Sequence, residues 1–269
     1  MLSYKPIFPF LLRRRTFGWL FGFFIAFTPF GCGEQNTNES NQSSAVSTKP
    51  INTLTSQEKT LGWKLLFDGK DLSAWRGYNK SNFPSSGWTI KDGMLMMEAT
   101  GKEEEGYGGD IITKDQYENF EFRTDFKLSP DANSGILYLV KEIKGEPIWH
   151  SAAEFQILDD EGYEMKGKYV MDKHRTGDNF DLQAATENAL KPLGEWNEAI
   201  VKVNKGKVEH WLNGQRVLEY TLWTPEWKEK VKNSKFAKYP DYGMSKQGHI
   251  GIQDWGHKMW YRNIKIKEL

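Results

Sequence analysis

The sequence contains one cysteine, Cys32, among its 269 residues, so an intrachain disulfide cannot form. It also lacks any excess of charge, because 36 basic and 36 acidic side chains cancel at neutral pH. A chain without net positive charge has no general attraction for nucleic acid, and no nucleic-acid partner is expected. The sequence has no P-loop, no zinc-ligand spacing and no Ser–His–Asp order. The sequence therefore gives no indication of a P-loop nucleotide-binding enzyme, a zinc enzyme or a serine hydrolase with a catalytic triad.

Helical patterns are scarce, and the best candidate spans 224–236, with Thr224 as a plausible N-cap and Pro225 at the first helical position. Strand patterns dominate instead. In NFEFRTDFKL, residues 119–128, apolar and charged side chains alternate strictly, which is typical of a half-buried antiparallel strand. Asp92-Gly93 and Asn213-Gly214 favour tight hairpins. These patterns predict an all-β, two-sheet antiparallel jelly-roll sandwich with one or two short helices.

The first 32 residues have the pattern of an export signal. Arg13, Arg14 and Arg15 precede the apolar run TFGWLFGFFIAFTPFG, which is short for a bilayer crossing and ends at Cys32. The segment is similar to a bacterial lipoprotein signal, in which the cysteine becomes the lipidated first residue. A cleaved signal and a retained anchor are the alternatives. We therefore expect an exported lipoprotein, periplasmic or at the cell surface, held by a lipid anchor.

The segment 33–60 is rich in Asn, Ser, Thr and Gln and poor in large apolar residues. It cannot bury enough apolar surface to offset the entropy of ordering, so a flexible polar tether is predicted. The folded domain is expected to span 61–269. Its 11 Trp, 11 Tyr and 16 Phe suit a sandwich core and also the stacking surfaces that bind sugars.

The stretch AEFQILDD, residues 153–160, places polar side chains in a strand-like run. Because strand side chains alternate, Glu154 and Gln156 share one face while Phe155 and Ile157 share the other, which faces the core. We expect the polar face to line a cleft. The long glycine-bearing loop 160–191, which contains His174 and Arg175, is placed to cover that cleft.

Several motifs, taken in order, resemble the 3-keto-disaccharide hydrolase family over essentially all of 61–269. They are WKLLFDGK at 63–70, NSGI at 133–136, EFQILD at 154–159, GEWN at 194–197, NG at 213–214, GIQD at 251–254 and YRNIKI at 261–266. The resemblance implies a concanavalin-like sandwich that cleaves glycosides whose glucose ring is oxidised to a ketone at C3, and it implies an upstream glycoside 3-oxidoreductase as a functional partner. Many members have His after the Gln-Asp pair, where this chain has Trp255, with His257 two residues later.

A ketone at C3 acidifies the hydrogen at C2, so a base can remove it, the C1 oxygen can leave by elimination, and water can add back. Such a site needs a base, a group that stabilises the enolate oxygen, and an acid or cation at the leaving oxygen. We expect catalytic roles for Glu154, Asp159 and His174. Substrate-binding roles are expected for Gln156, Arg123, Asn133, Arg175, Asp254, Trp255 and His257.

A divalent metal ion is a further expectation, because it could polarise the ketone and stabilise the enolate. Its predicted ligands are Glu154, Asp159 and His174, with Asp254 as a fourth candidate.

Two other functions remain open at the level of sequence. Glu154 and Asp159 resemble the outer acids of laminarinase-type retaining glucanases, which need two carboxyl groups roughly 5 Å apart. The domain could also be a lectin-like module in which the same residues only bind sugar hydroxyls.

Overall fold

The computed structural model describes residues 50–100, 108–167 and 171–269. The predicted signal segment with Cys32, and the part of the predicted tether up to residue 49, lie outside the described residues. Within these ranges no helix is long and apolar enough to cross a bilayer.

Thirteen strands account for most of the regular structure in these ranges. They are β1 Lys64–Leu65, β2 Trp75–Gly77, β3 Trp88–Lys91, β4 Met94–Met97, β5 Ile111–Thr113, β6 Phe120–Leu128, β7 Asn133–Val140, β8 Ala153–Leu158, β9 Trp196–Asn204, β10 Lys207–Leu212, β11 Gln215–Thr221, β12 His249–Ile252 and β13 Met259–Glu268. Three short α-helices are α1 Ser56–Thr60, α2 Asp160–Lys166 and α3 Pro225–Lys232. Single turns of 3₁₀-helix occupy Ile148–His150, Met171–Lys173 and Lys235–Lys238.

The strands form two antiparallel sheets. The larger sheet has the order β11-β10-β9-β6-β13-β4-β3, with β1 added beside β13. The smaller sheet has the order β2-β5-β12-β7-β8, so β8 is an edge strand. The predicted all-β, two-sheet sandwich with few helices is confirmed.

The core lies between the two sheets and follows the predicted alternation. On β6, Phe120, Phe122 and Phe126 are fully buried in the main apolar cluster. Phe155 and Ile157 of β8 enter the same cluster from the smaller sheet. The even-numbered residues of β8 therefore point away from the core, as the period of two requires.

Both predicted hairpins form. Asp92 and Gly93 join β3 to β4 with positive φ angles of 53° and 73°, and Asn213 and Gly214 join β10 to β11 at 51° and 82°. Asn and Gly tolerate this left-handed backbone better than other residues, which is why the dipeptides predicted the turns.

The start of the folded domain differs from the predicted boundary at residue 61. The Asn52 amide N–H donates to Asn263 Oδ1 at 2.6 Å, and Asn52 Nδ2 donates to the Gly93 carbonyl at 2.6 Å. Thr55 and Glu58 form a reciprocal cap at the start of α1, and Glu58 also pairs with Lys265 at 2.6 Å. Residues 50–60 are thus attached to the sandwich by polar contacts, which an apolar-burial argument does not detect.

The predicted helix 224–236 is divided in two. Thr224 caps α3 by accepting from the Trp227 N–H at 3.2 Å, as expected. The helix ends at Lys232, and the chain continues into the 3₁₀ turn Lys235–Lys238 after a new cap at Ser234. This break brings Lys235 towards the smaller sheet.

Candidate active site

Glu154 and Gln156 lie on the outer face of β8, yet only 3% and 2% of their surfaces are exposed. Neighbouring loops cover this face and enclose a cavity of about 210 Å³. Its lining is one carboxylate, one ammonium group, three amides and three aromatic rings: Glu154, Lys235, Asn133, Gln156, Gln253, Trp149, Phe180 and Trp255. The cleft expected over AEFQILDD is therefore present.

The free edge of β8 is covered by the loop that follows α2. The Gln156 N–H donates to the Asp178 carbonyl at 3.0 Å, and the Phe180 N–H donates to the Glu154 carbonyl at 3.1 Å. The loop thus hydrogen-bonds to β8 much as another strand would. This pairing places the Phe180 ring in the cavity, directly beside Glu154.

Gly135 makes the space that the Glu154 side chain occupies. In the β7–β8 register Gly135 lies opposite Gln156, and Leu137 lies opposite Glu154. A Cβ atom at Gly135 would lie 1.9 Å from Glu154 Oε1, far inside van der Waals contact. The glycine of the NSGI motif is therefore required for the position of the carboxylate.

The Glu154 carboxyl group accepts no hydrogen bond from any residue that the structure describes. Burial raises its pKa to about 8; the Lys235 charge acts in the opposite direction, and Asp110 adds a smaller upward effect. Buried carboxylates are normally paired or hydrogen-bonded. An unpaired one aimed into a cavity is typical of a functional group and not of a structural one.

Lys235 supplies the positive charge of the cavity. Its Nζ pairs with Asp181 at 2.7 Å and lies 4.1 Å from the centre of the Phe180 ring. It also lies 5.8 Å from the centre of the Trp149 ring. Lys235 and Glu154 line the same cavity without forming an ion pair with each other, so a molecule bound there can contact both side chains.

The amides of the cavity are held by neighbouring strands. Gln156 Nε2 donates to Asn133 Oδ1 at 2.9 Å. The Gln253 backbone N–H donates to the Gly135 carbonyl at 3.0 Å, which fixes the end of β12 beside β7. Amides that are positioned in this way, beside aromatic rings, form the kind of surface that binds sugar hydroxyls.

Asp159, predicted as catalytic, is placed elsewhere. Its Oδ2 accepts from the Asp131 N–H at 2.9 Å, and its Oδ1 accepts from the Gly162 N–H at 3.2 Å, which caps α2. Asp159 is not among the cavity residues, because it follows the last residue of β8 and turns into the helix. The pair of carboxylates that a retaining glucanase requires is therefore not formed by Glu154 and Asp159.

His174 lies behind the cavity wall and does not line it. Its Nε2 is 3.5 Å from Asp181 Oδ1, and its ring packs edge-on against Phe180 at 5.1 Å. Asp181 is also the partner of Lys235. His174 therefore contacts the groups that hold Lys235, and the predicted direct catalytic role is not supported by its position.

Two predicted arginines are also outside the cavity. Arg123 lies on β6 of the larger sheet, where its Nε donates to Glu121 at 2.8 Å and its guanidinium covers Trp63 at 4.9 Å. Arg175 pairs with Glu164 at 3.0 Å. Neither contributes to the lining, because β6 belongs to the other sheet and Arg175 points back towards α2.

The three predicted residues that follow β12 differ in whether they line the cavity. Trp255 lines the cavity, while Asp254 and His257 do not. Asp254 accepts from the Gly109 N–H at 3.0 Å and the Gly256 N–H at 3.0 Å, and burial raises its pKa in spite of these bonds. Asp254 thus fixes the loop geometry around Trp255.

The predicted metal ligands do not converge. Across 50–100, 108–167 and 171–269, no three His, Cys, Asp or Glu side chains are grouped closely enough to hold one metal ion. Asp159 caps a helix and His174 lies behind Phe180. Of the predicted ligands, Glu154 alone reaches the cavity, and a single carboxylate is a poor donor set for a resident divalent ion.

Four cavity residues were not predicted: Trp149, Phe180, Lys235 and Gln253. Gln253 is part of a motif that carries the family resemblance, and Phe180 belongs to the loop expected to cover the cleft. Lys235 carried no signal, because a lysine near the end of an amphipathic helix is usually solvated. Its role depends on the break after α3.

Residues 62–267 match the family of 3-keto-α-glucoside-1,2-lyase-like domains. A 3-keto-disaccharide hydrolase from Bacteroides thetaiotaomicron is 38% identical over 230 residues, which cover 77% of this chain and 79% of the relative. A candidate glycosyl hydrolase from Parabacteroides distasonis, solved by crystallography, is 33% identical with a TM-score of 0.74, covering 82% of this chain and 100% of that one. Another from the same organism is 31% identical with a TM-score of 0.58, covering 77% and 99%. The chain belongs to the 3-keto-disaccharide hydrolase family.

Proposed function

We propose that this protein cleaves 3-keto-glycosides, including 3-keto-disaccharides, by elimination followed by hydration. The observation that supports the proposal most is Glu154: a buried carboxylate, unpaired among the described residues, in an aromatic cavity that also holds Lys235. The relatives named above support the substrate class, because one of them is a 3-keto-disaccharide hydrolase.

Glu154 takes the proton from C2 of the bound sugar, and the electron pair of the C2–H bond forms the enolate of the C3 ketone. Burial makes this carboxylate a stronger base than a solvated one, since its pKa is about 8. Lys235 lines the same cavity, and its ammonium group, which pairs with Asp181, stabilises the negative charge on the enolate oxygen.

The enolate then collapses, the C1–O bond breaks, and a C1–C2 double bond forms while the ketone is restored. The leaving alkoxide takes a proton from water. The hydroxide formed in this way adds to C1, the C1–C2 double bond becomes the enolate of the C3 ketone, and Glu154 donates its proton to C2. Trp149, Phe180 and Trp255 enclose the ring, and Gln156 and Gln253 orient its hydroxyl groups.

The test is turnover of a 3-keto-glucoside compared with the same glucoside without the ketone. We expect cleavage of the 3-keto-glucoside only, because the C2 hydrogen is not acidic in a glucoside without the ketone. Glu154→Gln should lower kcat by at least about 1,000-fold while binding is retained, and Glu161→Gln, at an exposed glutamate of α2, serves as the matched control. Equal cleavage of both glucosides, or full activity of Glu154→Gln, would contradict the proposal.

We also propose export and lipidation at Cys32, from the arginines and short apolar run that precede it. Mass spectrometry of protein extracted from membranes should find a lipid-modified Cys32 at the mature N-terminus. A mature chain that begins elsewhere, or an unmodified Cys32, would refute lipidation at Cys32.

The substrate chemistry also requires a preceding reaction. Glycosides carry a hydroxyl at C3, so an enzyme that oxidises this hydroxyl must supply the ketone. We propose a glycoside 3-oxidoreductase as the functional partner; an unoxidised disaccharide should be cleaved only when such an enzyme is added to the assay.

A further inference from the structure

A second cavity shares a lining residue with the first, and three of its seven lining residues are lysines. Its volume is about 500 Å³, and its lining is Lys173, Asp181, Leu182, Lys230, Asn233, Ser234 and Lys235. Lys235 lines both cavities, and Phe180 of the first is followed in the chain by Asp181 of the second. The two cavities therefore meet at Lys235, and we call the second one the basic cavity.

The lysines of the basic cavity come from three separate elements. Lys173 ends the 3₁₀ turn Met171–Lys173, where its carbonyl accepts from the Asp181 N–H at 2.8 Å. Lys230 lies in the last turn of α3, and its ammonium group donates to Gln183 Oε1. Lys235 begins the turn after α3. Lys230 and Lys235 belong to the lysine-rich segment KEKVKNSKFAK, residues 228–238, and the fold brings Lys173 to them from a distant part of the chain.

Positive charge in the basic cavity exceeds negative charge. Its lining contains three ammonium groups and one carboxylate, Asp181. Asp181 is already paired with Lys235 at 2.7 Å and lies 3.5 Å from His174. Burial lowers the pKa of Lys230, and repulsion from Lys173 lowers it further. In a chain whose total charge is zero, this local excess is a specific feature.

We propose that the basic cavity receives the leaving group of the substrate and selects 3-keto-glycosides whose leaving group carries an acidic substituent. The inference rests on the proposed function of the first cavity. An anion bound there would pair with the ammonium groups of Lys173 and Lys230 and relieve their mutual repulsion. The shared chemistry is a carboxylate or a sulfur oxyanion.

The experiment compares three aryl 3-keto-glucosides that differ in one substituent: 4-carboxyphenyl, 4-sulfophenyl and the neutral 4-carbamoylphenyl. We expect kcat/KM to be about fivefold or more higher for an acidic compound than for the neutral one at low ionic strength, with the ratio falling towards one at high salt. A preference for both acids indicates general anion recognition, and a preference for the carboxylate alone indicates an acidic sugar.

The variant Lys173→Gln/Lys230→Gln isolates the effect of the basic cavity from the intrinsic reactivity of the leaving groups. We expect its acidic-to-neutral ratio to fall severalfold below that of the wild type. Lys228→Gln, at an exposed lysine of the same helix outside the cavity, should leave the ratio unchanged. A wild-type ratio that is insensitive to salt and to the double variant overturns the inference, while cleavage of the neutral compound in that case preserves the proposed function. Failure to cleave any of the three overturns both.

Discussion

Activity should depend on the ionisation of Glu154, because this side chain must lose its own proton before it can accept the proton from C2. With a pKa of about 8, roughly a tenth of the free protein has an ionised Glu154 at pH 7. We therefore expect kcat/KM to rise with pH and to level off above an apparent pKa of about 8. A profile that is flat between pH 6 and 9 would contradict this role, provided that the rate is limited by the chemical step.

Lys235 offers an independent test of that assignment. Its charge lowers the pKa of Glu154, so removing the charge in Lys235→Met should move the inflection of the pH profile to higher pH as well as reducing kcat. Lys238→Met, an exposed lysine three residues later, should do neither. If the inflection of the pH profile does not move in Lys235→Met, the charge of Lys235 does not act on the ionisation of Glu154.

The same burial makes stability depend on pH. The folded-state pKa of Glu154 lies above its unfolded value of 4.5, so its contribution to stability is full below pH 4.5 and is lost as the pH rises through about 8. Between pH 5 and 8 the loss is about 3 kcal/mol. Glu154→Gln has no ionisable group at this position and lacks this loss. Its unfolding free energy, measured with denaturant, should therefore rise by about 3 kcal/mol relative to that of the wild type between pH 5 and 8. Parallel curves would exclude a buried, titrating Glu154.

Two adjacent strands, β7 and β8, determine the geometry of the carboxylate. Gly135→Ala would place a methyl group 1.9 Å from Glu154 Oε1, so the side chain must leave its position. We expect at least about a 100-fold loss of kcat/KM, because a displacement of about 1 Å in a catalytic group has effects of this size.

The control for this variant is Gly145→Ala. Gly145 has a positive φ of 79° and no atom near the added methyl group, so it reports backbone strain alone. It should lower the unfolding free energy by about 1 kcal/mol with activity retained. Comparable activity losses in both variants would indicate general destabilisation instead of a displaced Glu154.

At the level of elements, sequence patterns predicted what local physics determines. The alternation in residues 119–128 predicted β6, the two dipeptides predicted their hairpins, and β8 was predicted with its correct inward and outward faces. Asp159 was misassigned because an acidic residue just after a strand can cap a helix equally well. Periodicity cannot distinguish these two uses.

The sequence patterns did not predict cavity residues whose positions depend on long-range contacts. Lys235 reaches the cavity only because α3 stops at Lys232 and a second cap follows at Ser234. Phe180 reaches it because its loop pairs with the free edge of β8. Neither event changes the local hydrophobic pattern, so neither could be predicted without the fold.

At the scale of the whole domain, the segment 50–60 contributes to stability through polar contacts. Asn52 is 5% exposed and links the Asn263 backbone and side chain to the Gly93 carbonyl. Asn52→Ala removes the two hydrogen bonds made by its side chain and leaves the half-buried Gly93 carbonyl and Asn263 N–H without these partners, so we expect a loss of about 2 kcal/mol in thermal or denaturant unfolding. Thr53→Ala, at an exposed neighbour, should change stability by less than about 0.5 kcal/mol. Equal stability of both variants would place the domain start after this segment.

The central claim is that Glu154 removes and returns the proton at C2, and it is tested most directly by cleaving a 3-keto-glucoside in deuterated water. The product sugar should contain deuterium at C2 above the level of uncatalysed exchange, and Glu154→Gln should abolish the enzyme-dependent part. Elimination and hydration introduce this label, because the carboxyl proton of Glu154 exchanges with the water that enters for hydration, whereas direct displacement at C1 leaves the C2–H bond intact. Product formed at full rate without enzyme-dependent label at C2 would contradict the account.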